Sequence, residues 1–294
     1  MFDRFRRPAV AEDELQFSSL NLFTEPEHQP FLFEGGKPAA LLVHGFGGTP
    51  AEMRPIAGAL LETGWTVQGL LLPGFGPDMV NLGERRYVEW LESITESATA
   101  LREAGHGPLL LVGYSLGATL SIVAGAALQP QPDGLALLAP YWWQDRPWSR
   151  LLSAVLRPFQ SREMRPFRRA DLSDPRLRQS LAKFLPGADL DNPDTQRALR
   201  NFRAPVSLIE QVLGASRLGY ARAGAVECPV LVVQGARDDV VRAPLTRELV
   251  DRFAGPAEYL EVDCGHELMT QPANPVWPAV IHAILHFAEV IRDR

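Results

Sequence analysis

The sequence predicts an α/β fold: a mostly parallel central sheet with helices on both faces and a helical cap inserted into the series. Three observations carry this expectation. Short continuous apolar runs alternate with longer stretches of helical apolar spacing, the order of strand and crossover helix that builds a parallel sheet. The apolar runs lack a polar alternate face, as in strands buried on both sides. The alternation stops at Tyr141 and resumes only near Val226.

The elements follow in order. Beyond an N-terminal arm over residues 1–28, "FLFEGG" and "AALLVHG" read as two strands separated by a Gly-rich turn. "TPAEMRPIAGALLETG" has amphipathic helical spacing, with Thr49 suited to the N-cap and Pro50 to the first turn. Strand "WTVQGLLLP", a helix from about Glu84 to Ala104, strand "PLLLVGY", a helix from Leu116 and strand "GLALLAP" continue the series. After the interruption come strand "PVLVVQG", a helix near Ala243 to Phe253, strand "AEYLEVD" and a closing helix from about Pro275. The core therefore comprises residues 29–140 and 226–294.

Residues 141–225 are too many for a structureless loop in a compact domain and read as a helical cap. "WSRLLSAVLRPF" and "DPRLRQSLAKFL" have helical spacing, and no convincing strand is present. This segment holds 15 basic and 8 acidic side chains, although the whole chain has a formal charge of −6. Its cationic surface is either simply solvated or attractive to acidic substrates, coenzyme A thioesters or an anionic membrane face. Trp142, Trp143, Trp148, Phe159 and Phe167 together suggest an apolar roof.

Composition narrows the function. With 46% apolar and 22% charged residues among 294, the chain has the make-up of a globular protein, and no apolar run approaches bilayer-spanning length. The start, "MFDRFRRPAVAEDELQF", lacks an apolar h-region, so a cytoplasmic location is expected. The negative net charge offers no general attraction to nucleic acid. Two cysteines, Cys228 and Cys264, exclude a disulfide framework and a cysteine-only metal site. His282 and His286 have i, i+4 spacing but no carboxylate support, and neither a metal nor a cofactor is expected.

The chemistry centres on "LLLVGYSLGATL", where Ser115 stands between Gly113 and Gly117 at the passage from strand to helix. A turn that tight needs small neighbours, because a Cβ at either glycine would meet the opposing backbone. Two further candidates follow later strands: Asp238 in "GARDDVV" and His266 in "CGHEL". In a parallel sheet the loops at the carboxyl ends of the strands share one edge, so the three can meet. A serine hydroxyl is nearly inert at neutral pH until a base takes its proton. His266 is the base that fits, and Asp238 the group that orients its ring; Asp239 is the competing orienter. "HGFGGTP" can bend a backbone amide toward Ser115, which makes the Phe46 and Leu116 amides the expected oxyanion donors. His44, just before that amide, reads as a structural hydrogen-bonder.

In "QPFLFEGGKPAALLVHGFGGTPAEMRPIAGALLETGWTV", "LPGFG", "GYSLGA", "GARDDVV" and "CGHEL" the chain resembles the α/β-hydrolase family, most closely its bacterial carboxylesterases and monoacylglycerol lipases. The resemblance implies Ser115 as nucleophile, Asp238 as acid, His266 as base and Phe46 with Leu116 as oxyanion hole. The expected activity is hydrolysis of a small-molecule ester with an apolar acyl group. Thioesterase, amidase, C–C hydrolase and perhydrolase reactions share that machinery, and a ligand-binding protein could keep the same pocket without turnover. The cap is longer than in compact carboxylesterases, and the sequence leaves the oligomeric state open.

Overall fold

The computed structural model describes residues 23–142, 163–175, 177–178, 181, 189–202, 204–269 and 274–294. Its centre is a seven-stranded sheet of β1 (Phe31–Phe33), β2 (Ala39–Val43), β3 (Thr66–Leu70), β4 (Leu109–Tyr114), β5 (Gly134–Leu138), β8 (Val230–Gly235) and β9 (Ala257–Val262), in the order β1-β3-β2-β4-β5-β8-β9. Every neighbouring pair is parallel except β1 with β3, which is antiparallel.

The continuous apolar runs resolve into two faces. Leu41, Leu111, Leu137 and Val232 point into one hydrophobic cluster, and Leu42, Val112, Leu138 and Val233 into the other. This is the period-two alternation of a strand with both faces covered. On the second face lie α1 (Pro50–Glu62), through Met53, Ile56 and Leu60, and α7 (Trp277–Arg292), through Val280, Ile284 and Phe287. On the first lie α2 (Tyr87–Glu103), α3 (Leu116–Ala127), α5 (Val206–Arg222) and α6 (Ala243–Val250). Thr49 caps α1 as expected, its hydroxyl accepting the Ala51 amide at 3.3 Å.

The connection after β2 runs to one face and the connection after the adjacent β4 to the other. Such a divergence opens a crevice between the carboxyl ends of the two strands. The local order therefore dictates where a ligand fits.

The end of the arm is tied to the core: Phe23 is buried, His28 is bonded through Nδ1 to the Thr49 hydroxyl at 2.8 Å, and Arg54 donates to the Pro26 and Glu27 carbonyls; residues 1–22 lie outside the description. One expectation needs adjustment. Within 141–225 a two-stranded antiparallel ribbon forms from β6 (Glu163–Met164) and β7 (Ala204–Pro205). Two residues per strand are too few for any period to be read. The helix expected over "WSRLLSAVLRPF" falls outside the described residues, as does much of that over "DPRLRQSLAKFL". Among the described residues the segment forms helix α4 (Pro193–Asn201), capped by the Asn192 side chain, and α5.

Helix α5 is fastened to the core rather than laid over it. Leu208 and Ala215 join the first-face cluster, and a Cβ at Gly219 would stand 2.7 Å from Thr119 Cγ2 of α3. Tyr220 stacks on Trp142 with centroids 4.0 Å apart and planes 2° from parallel. Gln211 Oε1 accepts the Tyr87 amide at 3.1 Å, satisfying a donor that opens α2.

Candidate active site

Ser115 follows β4 and caps α3 with φ 51° and ψ −115°. This is a sparsely populated region for a non-glycine residue, at a cost of about 1–3 kcal/mol. The surrounding packing over-determines it: the Ser115 amide donates to Leu138 O at 2.8 Å, and its carbonyl accepts from Tyr141 N at 3.0 Å and Thr119 N at 3.2 Å. A Cβ at Gly113 would lie 2.5 Å from Ala118 Cα, and one at Gly117 would collide with the Val43 and His44 carbonyls. The glycines are required for the reason read from the sequence: the elbow and the end of β2 touch through backbone.

The three distant side chains meet. His266 Nε2 lies 2.9 Å from Ser115 Oγ, and His266 Nδ1 lies 2.7 Å from Asp238 Oδ2. The Asp238 side chain is fully buried, whereas Asp239 is exposed. Asp238 Oδ1 accepts the amides of Val240 and Val241, both at 2.8 Å, while Oδ2 also accepts from Gln234 Nε2 at 2.7 Å. Burial pushes the Asp238 carboxyl up, but the His266 bond and charge, helped by Val241 and Gln234, outweigh it and hold the group below the ordinary carboxylate range. A charged Asp238 requires the proton on Nδ1, which leaves Nε2 free to accept the serine proton. The chain of groups can thus move a proton from hydroxyl to imidazole and stabilise the resulting imidazolium.

Phe46 and Leu116 border the same cavity as Ser115 and His266. Leu116 opens α3, where helix amides have no intrahelical acceptor. A Cβ at Gly45 would stand 3.3 Å from Ser115 Cβ, so the loop carrying Phe46 lies against the serine. His44 fixes that loop: its Nδ1 donates to Gly45 O at 2.8 Å while its Nε2 accepts the Leu72 amide at 3.1 Å. Serving as both donor and acceptor requires the neutral ring. Burial lowers its pKa to about 4, the Gly45 bond opposing. Because the Gly45 carbonyl and the Phe46 N–H share one peptide plane and point oppositely, clamping the first aims the second.

The cavity, about 490 Å³, is walled by Leu208, Ile209, Val212 and Leu213 of α5, with Phe46 and Val240 at its rim. Among the described residues no Asp, Glu, Lys or Arg side chain borders it, and His266 is its one imidazole. Of the aromatics expected to form an apolar roof, Trp142 and Phe167 do not line this cavity. Trp142 is buried against Tyr220 and donates to Leu245 O, and Phe167 packs near Phe202 in a separate cluster. Trp143, Trp148 and Phe159 lie outside the described residues. The wall is aliphatic because α5 carries Ile209, Val212 and Leu213 beside its core-facing Leu208 and Ala215 stripe, with Leu208 and Val212 touching both cavity and core.

Sequence reasoning missed the supports. Gln234 lies fully buried in β8, donating to Asp238 and to Val241 O and accepting from the Thr246 hydroxyl at 2.8 Å. Its signal was available as the one polar side chain in "VLVVQG". Tyr114, beside Ser115, donates its hydroxyl to His266 O at 3.1 Å. Among the described residues no group of three or more His, Cys, Asp or Glu side chains is arranged to hold a metal ion, and no helix is long and apolar enough to cross a membrane.

Residues 36–272 match the family model described as "Serine aminopeptidase, S33". The chain is 26% identical over 217 residues to a thermostable monoacylglycerol lipase of Bacillus sp. (strain H-257), covering 72% of this chain and 75% of that one. It is 31% identical over 97 residues to a carboxylesterase of Bacillus subtilis (strain 168), covering 33% and 39%. The fold is shared with one of the metagenome-derived lipolytic enzymes LipS and LipT, at TM-score 0.70 and 20% identity over 92% of this chain and 99% of the other. It is shared also with the monoacylglycerol lipase of Paleococcus ferrophilus, at TM-score 0.65 and 18% identity over 90% and 99%.

Proposed function

The chain belongs to the family described as serine aminopeptidase, S33, within the α/β-hydrolases, and from that premise we propose that it is a serine hydrolase of neutral carboxylic esters with an apolar acyl group. The observation that supports this most is the hydrogen-bonded series Asp238, His266, Ser115 opening into an aliphatic cavity. Ser115 Oγ attacks the ester carbonyl as His266 Nε2 takes its proton, and Asp238 holds the imidazolium that results. The Phe46 and Leu116 amides receive the oxyanion. Collapse expels the alcohol, which takes the proton from His266 and leaves an acyl group on Ser115. Water then attacks this acyl-enzyme with His266 again as base, releasing the acid and restoring the serine.

The cavity separates this reading from the peptidase activity in the family's description. An aminopeptidase must hold a free α-ammonium group, and a buried cation needs a charged or well-bonded partner. No carboxylate side chain borders the cavity among the described residues. The same lining favours neutral acyl groups over the acidic substrates that the basic segment 141–225 could attract. From that segment β7 and α5 contribute to the cavity wall, which supports reading it as a cap.

The test is hydrolysis of p-nitrophenyl butyrate and decanoate by wild type and Ser115→Ala, together with labelling of Ser115 by a fluorophosphonate. The wild type should turn over and take up the label, and the variant should do neither. A wild-type rate no greater than that of S115A overturns the proposal in favour of a binding protein.

A further inference from the structure

Glu52 is the third residue of α1, three after the Thr49 cap, so "TPAE" reads as a capping box in which its carboxylate returns to the Thr49 amide. It goes elsewhere. Oε1 accepts the Gly45 amide at 2.5 Å, reaching out of the helix to the loop after β2. The fit is close on two sides. A Cβ built on Gly45 would stand 3.4 Å from Glu52 Oε1 and 3.2 Å from Tyr114 Cδ1, and one on Gly48 would collide with the Glu52 carboxyl group itself, its Cδ lying 2.6 Å away. A glycine has no side chain to orient it, so Gly45 is held by whatever grips its two peptide groups. His44 grips the carbonyl and Glu52 the amide. The next amide along the chain is that of Phe46.

We propose that Glu52 is a positioning residue of the oxyanion-binding loop: its carboxyl group braces the Gly45 amide so that the Phe46 amide meets the charge developing on the substrate carbonyl. The inference rests on the serine-hydrolase reading above. Burial raises the Glu52 pKa to about 7, the Gly45 bond opposing. A carboxyl group neutral over the acid side of that value does not oppose negative charge forming one residue away, and glutamine reproduces its shape and its acceptor. The brace acts on the transition state, since the ground-state carbonyl needs the oxyanion donor less than the tetrahedral species does.

The experiment measures kcat and KM for p-nitrophenyl butyrate, affinity for an alkyl boronic acid that forms a tetrahedral serine adduct, and melting temperature in three variants. Glu52→Ala should lose roughly 10- to 100-fold in kcat. Its KM should stay within about threefold of wild type, and its boronic acid affinity should fall in parallel with kcat/KM. Glu52→Gln should recover kcat to within about threefold. Gly48→Ala, which displaces the carboxyl group from the other side, should reproduce the kcat loss. The inference is overturned by an E52A kcat equal to wild type, by a loss carried in KM alone, or by an E52Q as impaired as E52A. If E52A does not fold, G48A decides: an undiminished kcat overturns the brace, and a kcat-only loss supports it. Fluorophosphonate labelling of wild-type Ser115 separates the two levels. An unlabelled wild type sinks the hydrolase reading, whereas a labelled wild type with an indifferent E52A sinks the Glu52 inference alone.

Discussion

Replacing Asp238 with asparagine changes one atom and should remove most of the activity. Four hydrogens converge on the carboxylate: Val240 and Val241 amides on Oδ1, and Gln234 Nε2 and His266 Nδ1 on Oδ2. Asparagine has a single carbonyl oxygen. If that oxygen takes the Oδ1 position, where two rigid backbone donors fix it, the new amide group faces His266 Nδ1 and must donate to it. The imidazole then carries its proton on Nε2, pointing at Ser115 Oγ, and cannot accept the serine proton. The reverse orientation aims an amide hydrogen at two backbone N–H groups in a fully buried site, each clash leaving donors unsatisfied at a cost of about 1–3 kcal/mol. The first arrangement is therefore the one adopted. A wrong tautomer in a triad costs about 10⁴-fold in kcat, or about 5 kcal/mol of barrier. Steady-state hydrolysis of p-nitrophenyl butyrate at pH 8 measures it, with the melting temperature confirming a folded variant. A D238N enzyme retaining more than about a tenth of wild-type kcat would refute the reasoning, because the base would then owe neither its tautomer nor its orientation to Asp238.

Other consequences follow from the packing and the buried titratable groups. Gly117→Ala drives a methyl group into the Val43 and His44 carbonyls and should cost about 1–3 kcal/mol, read as a melting temperature several degrees lower with reduced kcat. Gly58→Ala, on α1 with open space around it, should instead gain about 0.5–1 kcal/mol. Val212→Phe fills part of the cavity and should lower kcat/KM for decanoate at least about tenfold relative to butyrate; equal effects on both esters would place the acyl chain elsewhere. His44 titrates at about 4 in the fold against 6.5 when unperturbed, so the unfolded chain binds its proton first and stability is lost as pH falls from 6.5 towards 4, by about 3 kcal/mol. Glu52 has the opposite sign. Its value of about 7 exceeds the ordinary 4.5, so the unfolded chain releases its proton first and stability is lost as pH rises from 4.5 to 7. Denaturant unfolding at pH 5 and pH 8 should therefore show E52Q gaining on wild type by about 2.5 kcal/mol across that interval, and a constant difference would contradict the raised pKa of the carboxyl.

What could be read from the sequence, and what could not, divides along physical lines. The strands around Leu41, Leu111, Leu137 and Val232 were legible because burial on both faces demands uninterrupted apolar residues. Ser115 stood out because Gly113 and Gly117 are needed wherever backbones touch, and His266 because it follows β9 in chain order. Partner choice was not legible: "FLF" precedes "AALLV" across a turn, yet β1 pairs with β3, since pairing is settled by long-range packing rather than by adjacency. Glu52 was hidden for a different reason. Its spacing from Thr49 satisfies a local rule completely, and nothing local distinguishes a carboxyl that caps its own helix from one that reaches into a neighbouring loop. Trp142 was read as part of an apolar roof, but a large ring is as useful in stacking as in lining, and Trp142 stacks on Tyr220.

The way α5 is stitched to Trp142, Thr119 and Tyr87 bears on how specificity in this chain could be re-engineered. Grafting a foreign segment in place of everything between β5 and β8 would tear out the hydrophobic backing of α3, and with it the seat of Ser115. A transplant that keeps Val206 to Arg222 native, and exchanges only what precedes it, leaves the scaffold whole. Residues that line the cavity and residues that hold the sheet's covering helices together here share one helix, on adjoining sides of the same few turns.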